Sequence, residues 1–356
     1  MKIASAGLPA LIVIDSGFSW ESLADANNIL AVCDLKHGTT VCGSPYVEKE
    51  ALAQFADDPL NHGSVVLRNL RTLAPHNPLI LIRAFRGDNL IRTTWNGDGS
   101  IASPGWTEAY LFAVELCHKL GLGSVANCSF GGLTHAMDGT GWEAFQLGKA
   151  GPGHLVVAAS GPGDGRQVHA SWKAQPGKVI QVEAAQSGST MYNFWAGTAH
   201  QQWWLRVSRN GNVLALFEGA GIPGNLWNNR QQLKFEVPGE GEVTFEFVVS
   251  NSASEFVSCD IWVMDQVSAR FKTAQYIDNR LVSEPAVFAS VVAGGLRKGS
   301  YADDQEVLGC KPDVLLEDDG PFSFRTPEVT ARVAALLVAD PTLTPATAKR
   351  MIGKYL

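Results

Sequence analysis

The stretch "ALIVIDSGF", residues 10–18, runs five apolar residues in succession before an aspartate, a serine and a glycine. A strand with no polar alternation is buried on both faces, as in a parallel sheet with helices above and below it. "NILAVCDL" (28–35), "PLILIRAF" (78–85), "SVANCSF" (124–130) and "HLVVAAS" (154–160) read the same way. Between them, "GSVVLRNLRTLA" (63–74) spaces Val66, Leu67, Leu70 and Leu73 along one helical face. "WTEAYLFAVELCHKLG" (106–121) predicts a helix with Thr107 as its N-cap and Gly121 as its stop. Alternating strands and helices of this kind predict an α/β fold, a parallel sheet covered by helices on both faces.

The character of the chain changes near residue 166. "VIQVEA", "QWWLRVS", "VLALFEG", "LKFEVPG", "EVTFEFVVS" and "CDIWVMD" are strand-like runs, several alternating with period two, separated by Gly, Asn, Pro and Ser. They predict an antiparallel β-sandwich of jelly-roll type. This segment holds six of the ten tryptophans (Trp172, Trp195, Trp203, Trp204, Trp227, Trp262), which either fill its core or offer an aromatic surface to a sugar or a protein. The α/β style then returns: "AVFASVVAGG" (286–295) reads as a strand, "TPEVTARVAALLVAD" (326–340) and "TPATAKRMIGKYL" (344–356) as helices. The predicted organisation is one domain formed by residues 1–165 and 266–356, interrupted by an inserted β-sandwich at 166–265.

Composition narrows the partners. Of 356 residues, 46% are apolar and 18% charged, enough to build sizeable cores. A net charge of -7 argues against a nucleic-acid surface, which needs a basic face. No apolar run approaches the roughly 20 residues that span a bilayer, so no membrane partner is expected. The six cysteines form no C-x-x-C pair and the histidines show no H-E-x-x-H spacing, so no metal site is predicted. The loop "GPGDG" after "HLVVAAS" is followed by strand-like rather than helical sequence, which removes the helix terminus that a phosphate cradle needs.

Three places carry possible chemistry. Asp15 ends a buried strand, where open α/β sheets place their sites, although Asp before Ser-Gly is also a common turn. His62, in "NHGSVVLRNL", precedes a helix and suits general base work near neutral pH, although a histidine there is also an ordinary surface residue. Ser323, in "DDGPFSFRTPEVTARVAALL", precedes a helix whose second residue is Pro327, where it is either a nucleophile facing free N–H groups or a simple cap. The order Asp, His, Ser is that of subtilisin. The chemistry explains the combination: a serine hydroxyl becomes a nucleophile when a histidine removes its proton, and an aspartate orients that histidine.

With these motifs in view, the chain resembles the subtilase family of serine peptidases. "VIDSG" resembles the family's D-[ST]-G, "HGSVV" its H-G-T-x-V, and "SFRTPEVTARVAAL" its S-x-A-x-P-x-V-A-G-x-x-A-L. The likeness covers roughly 1–165 and 275–356 and omits the insert. It implies a serine endopeptidase working through an acyl-enzyme, with Asp15, His62 and Ser323 as catalytic triad. It also implies an extended peptide or protein substrate lying beside Ser129, Phe130 and Gly131. No cofactor is required by this chemistry; members of the family bind structural calcium, but no acidic loop here marks a place for it. No propeptide or signal peptide is seen before Asp15, which sets the expectation of a cytoplasmic enzyme, unless the chain is trimmed.

The departures are as informative. The usual G-T-S before the nucleophile is Pro321-Phe322-Ser323, and the small residue two after it is Arg325. The small pair after the histidine becomes Val66-Leu67. The family's oxyanion-hole asparagine aligns with the stretch Ser160, Gly161, Pro162, Gly163, and proline has neither a side-chain donor nor an N–H. In subtilisin the loss of that donor costs on the order of 10²–10³ in turnover. The sequence therefore carries two functional expectations: an endopeptidase specialised for particular peptides or proteins, or a catalytically impaired pseudoprotease that binds peptide or protein as a scaffold.

Overall fold

A computed structural model of the chain describes residues 7–24, 28–36, 49–131, 141–159, 167–198, 201–222, 229–250, 256–265, 267–277, 291–296, 313–316 and 322–352. The apolar runs form one parallel sheet: β1 (Ala10–Asp15), β2 (Ile29–Asp34), β3 (Leu79–Arg83), β4 (Ser124–Cys128), β5 (His154–Ala159), β6 (Val291–Leu296) and β7 (Val314–Leu316). Their spatial order is β2-β3-β1-β4-β5-β6-β7, with every pairing parallel. The helices are α1 (Lys49–Phe55), α2 (His62–Leu73), α3 (Trp106–Leu120), α4 (Trp142–Gly148), α5 (Thr326–Ala339) and α6 (Pro345–Ile352), besides a single turn at Trp20–Leu23.

Side-chain alternation along β1 assigns the two faces. Ala10, Ile12 and Ile14 point into a core with Trp106, Tyr110, Ala113 and Cys117 of α3. Leu11 and Val13 point into the opposite core, shared with Val66, Leu67 and Leu70 of α2 and Val329, Val333 and Leu337 of α5. This double burial is why the strands carry no polar alternation. Val66 and Leu67, where the family pattern has a small pair, are fully buried and fill the space under α2.

Thr107 is not the N-cap of α3. The chain enters through Gly105, whose N–H donates to Glu108 Oε2 at 2.8 Å, while Thr107 is buried inside the first turn. A Cβ on residue 105 would come within 2.3 Å of Thr93 N, so tertiary crowding, not hydroxyl capping, selects the start. Gly121 does stop the helix, with φ of 68°.

The insert consists of two antiparallel sheets facing one core. One orders the strands His169–Ala174, Val257–Val263, Thr190–Thr198, Arg230–Val237; the other Asn212–Glu218, Trp203–Arg209, Glu240–Val249, Val179–Ser187, Ala269–Phe271. The last strand lies beyond residue 265 and pairs with Val179–Ser187 through Ala184 and Phe271, so the β-rich unit continues past the boundary read from the sequence. The strand Thr190–Thr198 lacks a strand signature because Tyr192, Asn193, Phe194, Trp195 and Ala196 are all buried, which erases period two. Trp172, Trp195, Trp203 and Trp262 are buried and Trp204 is half-buried; Trp227 lies outside the described residues. Trp172, Trp203 and Trp262 fill the core between the two sheets, and Trp195, on the other face of its strand from Phe194, is buried outside that core, so these indoles offer no binding surface. Among the described residues no helix is long and apolar enough to cross a membrane.

Candidate active site

Asp15 ends β1 on the same face as Leu11 and Val13, the face covered by α2 and α5. These helices are introduced by His62 and by the turn that holds Ser323, so one face of one strand gathers all three side chains' elements. Asp15 is 1% exposed. His62 is the first residue of α2, preceded by Asn61 in the left-handed region (φ 52°), which asparagine tolerates better than most residues. His62 Nδ1 lies 2.7 Å from Asp15 Oδ1, and the Ser16 N–H donates to the same oxygen at 2.7 Å. Asp15 Oδ2 is buried and has no hydrogen-bond partner among the described residues.

The electrostatics follow from that geometry. Burial pushes the Asp15 carboxyl up from the usual carboxylate range, against the hydrogen bond and charge of His62 and the Ser16 N–H, which pull it down. Burial also disfavours the charged imidazolium of His62. The hydrogen bond and charge of Asp15, reinforced by Asp58, outweigh it and hold the imidazole above its ordinary value.

Beneath this pair is a knot that the sequence motifs do not announce. Ser16 Oγ donates to Asp58 Oδ1 at 2.7 Å and accepts the Gly63 N–H at 3.2 Å. Asp58 Oδ2 accepts the Ser64 N–H at 2.8 Å and its hydroxyl at 2.5 Å. An anion at the first turn of α2 also meets its unpaired N–H groups and positive end. Glycine is required twice: a Cβ on Gly63 would lie 2.2 Å from Gly17 O, and one on Gly17 (φ 153°) would lie 2.0 Å from Asp57 O. Beside Asp15 in the sheet, the buried Arg83 binds both carboxylate oxygens of Asp34 and donates to Phe55 O at 3.2 Å. That fixes the segment leading to Asp58.

Ser323 is half-buried, in a 3-10 turn, Phe322–Phe324, directly before α5. The turn lies against α2: Asn69 Nδ2 donates to Phe324 O at 3.0 Å, and the Phe324 ring centroid is 5.2 Å from that of His62. No hydrogen bond joins Ser323 to His62 among the described residues. Arg325, the bulky cation of the sequence reading, pairs with Glu328 on its own helix at 3.0 Å. Further along, Thr330 Oγ1 donates to Asn127 Oδ1 at 2.8 Å, and Asn127 Nδ2 donates to Ser129 Oγ at 2.9 Å. Buried on all sides, this bridge ties α5 to the segment Ser129, Phe130, Gly131. The Phe130 ring is turned inward, edge-on to Phe85 at 5.5 Å and Trp106 at 5.4 Å, and Gly131 is exposed.

Ser160, Gly161, Pro162 and Gly163 lie outside the described residues. The sequence reading gives Asp58 and Asn127 no role, and meets Ser16 and Ser64 only as the hydroxyl positions of D-[ST]-G and H-G-T-x-V. The signal for Asp58 was its placement four residues before His62, within reach of a helix start. Among the described residues, no group of three or more His, Cys, Asp or Glu side chains is placed to hold a metal ion.

No family model matches the chain, and no curated protein sequence matches it significantly. Solved structures do. The CspB protease of Clostridium perfringens is similar with a TM-score of 0.67 at 13% identity, covering 98% of this chain and 87% of that one. A cold adapted subtilisin-like serine proteinase aligns at a TM-score of 0.40 and 12% identity, over 98% of this chain and 82% of that one. A lanthipeptide protease aligns at 0.26 and 17%, over 44% of this chain and 40% of that one. The first similarity, with the sheet order and both helical layers described above, establishes a subtilisin-like α/β fold carrying a β-rich insertion.

Proposed function

We propose that the chain is a serine endopeptidase of subtilisin type, with Asp15, His62 and Ser323 as its triad. The observation that carries this reading is the 2.7 Å contact between His62 Nδ1 and the buried Asp15 Oδ1. It spends one imidazole nitrogen on orientation and leaves Nε2 for proton transfer, next to a turn that holds a half-buried serine. In the reaction, His62 Nε2 takes the Ser323 hydroxyl proton as Oγ attacks the scissile carbonyl carbon. The same proton then passes to the leaving amine, and water, activated by the same imidazole, releases the acyl group. The substrate is a peptide or protein in extended form, adding main-chain hydrogen bonds along Ser129, Phe130 and Gly131. The inward anchoring of Phe130 leaves the backbone of this segment as its recognition element. Peptide hydrolysis of this kind uses no cofactor.

The test is labelling by a fluorophosphonate, which reports an activated serine. Wild-type protein is expected to label and Ser323→Ala is not; equal labelling of both, or none in either between pH 6 and 9, sinks the proposal. The second reading, an impaired peptide-binding scaffold, is favoured by the departures from the family pattern at Pro162 and Arg325 and by Phe324, whose ring centroid lies 5.2 Å from that of the His62 imidazole. Under that reading wild type binds peptide without cleaving it, and Ser323→Ala leaves the affinity unchanged.

A further inference from the structure

We propose that Asp58 is a positioning residue for the Asp15–His62 pair, its carboxylate locking the loop that follows β1 to the first turn of α2. This rests on the peptidase reading above and adds a fourth side chain to it. One carboxylate oxygen holds the Ser16 hydroxyl, and Ser16 supplies the N–H that fixes Asp15 Oδ1. The other holds the backbone N–H and the hydroxyl of Ser64, two residues after His62. The Ser16 hydroxyl closes the circuit by accepting the Gly63 N–H, and the Ser64 hydroxyl accepts the Ser19 N–H at 2.8 Å. Strand end and helix start are 47 positions apart in the chain, so nothing local sets the distance between Asp15 and His62. Asp58 does so with the directional bonds of an ionised acceptor, which are stronger than those of a neutral one.

The same carboxylate is a second negative charge on the imidazole. Among the described residues, Asp15 from β1 and Asp58 from the segment before α2 are the charged groups that act on His62, and Phe324, packed on it from the turn before α5, is uncharged. Both anions favour the imidazolium, which is the form the base takes after accepting the serine proton. Charge and tether can be separated, because Asp58→Asn removes the charge and Ser16→Ala cuts one tether while keeping it.

The experiment is an NMR titration of the His62 imidazole in wild type, Asp58→Asn and Ser16→Ala, with peptide hydrolysis measured on the same preparations. In Asp58→Asn the His62 midpoint is expected to fall by about half a pH unit, and the acid limb of kcat/KM with it. The value of kcat falls on the order of tenfold with KM nearly unchanged. In Ser16→Ala the midpoint stays and kcat falls. A wild-type midpoint in folded Asp58→Asn overturns the proposal, as does wild-type kcat in either variant. If Asp58→Asn does not fold, Ser16→Ala decides: reduced kcat at unchanged KM supports the tether and unreduced kcat refutes it. If wild type shows no hydrolysis, the peptidase reading fails, and the His62 midpoint still decides whether Asp58 acts on the imidazole.

Discussion

Gly63 is the residue on which the site's geometry is most exposed to a single change. It follows His62 on α2 and lies against the end of β1; a Cβ there would meet Gly17 O at 2.2 Å and Asp15 Cβ at 2.9 Å. Both neighbours belong to the strand end and neither can move without carrying Asp15 along. Gly63→Ala is therefore expected to destabilise the protein by about 1–3 kcal/mol through overpacking, read as a lower urea midpoint. It also separates Asp15 from His62, read as loss of Ser323-dependent labelling. A variant with wild-type stability and labelling would show that this contact relaxes freely. Glycine after the histidine was legible in the sequence as part of the H-G-T-x-V likeness; its reason, a backbone carbonyl just past a strand end and 46 positions away, was not. Phe324 illustrates the same limit. It occupies an unspecified position of the serine motif, so the sequence says nothing of it, and its place against the imidazole depends on α2 and the turn before α5 packing on one face.

Among the elements, α3 and β5 meet at the end of the sheet away from Asp15. The His118 and His154 rings stack there with centroids 4.2 Å apart at 18°, and Ser124 Oγ lies 2.8 Å from His154 Nδ1. Burial, helped by His118, pushes the His154 imidazole down to about 4. A depressed histidine is neutral in the fold while the unfolded chain binds the proton, so its contribution is present above the unfolded value, about 6.5, and is lost as pH falls towards 4. The urea midpoint is expected to decline over that window, by up to about 3 kcal/mol in stability for a group this buried. His154→Gln is expected to flatten the decline; an unchanged slope would assign it to other groups. In sequence each histidine looks ordinary, since 118 and 154 have no helical spacing. The helix and the strand were both legible, but not the pairing that stacks the exposed His118 on the buried His154. The strand Thr190–Thr198 was hidden for a related reason: burial of both its faces is a property of the assembled unit, and it removes the alternation by which a lone strand is recognised.

At the scale of the molecule the hydrophobic interior is divided. The two cores that flank the parallel sheet draw on residues 10–158 and 314–352, whereas the core of the two antiparallel sheets draws only on residues 168–277. A segment with its own closed core is expected to fold by itself. Residues 167–277 expressed alone are expected to give a β-type circular dichroism spectrum and a single cooperative urea transition; a fragment without a transition would show that the parallel-sheet part is needed to complete it. The sequence by itself determined the features that are local or periodic. Apolar runs made the strands of a doubly covered sheet, helical spacing made its layers, a change of composition marked the inserted sheets, and the order of Asp15, His62 and Ser323 pointed to one chemistry. Only the tertiary structure decided which groups touch. Asp58 grips Ser16 across 42 positions and Thr330 reaches Asn127 across 203, because α2 and α5 pack on the same face of β1. Periodicity records which face of an element is buried, but a hydrogen bond between distant residues exists only once those faces are pressed together.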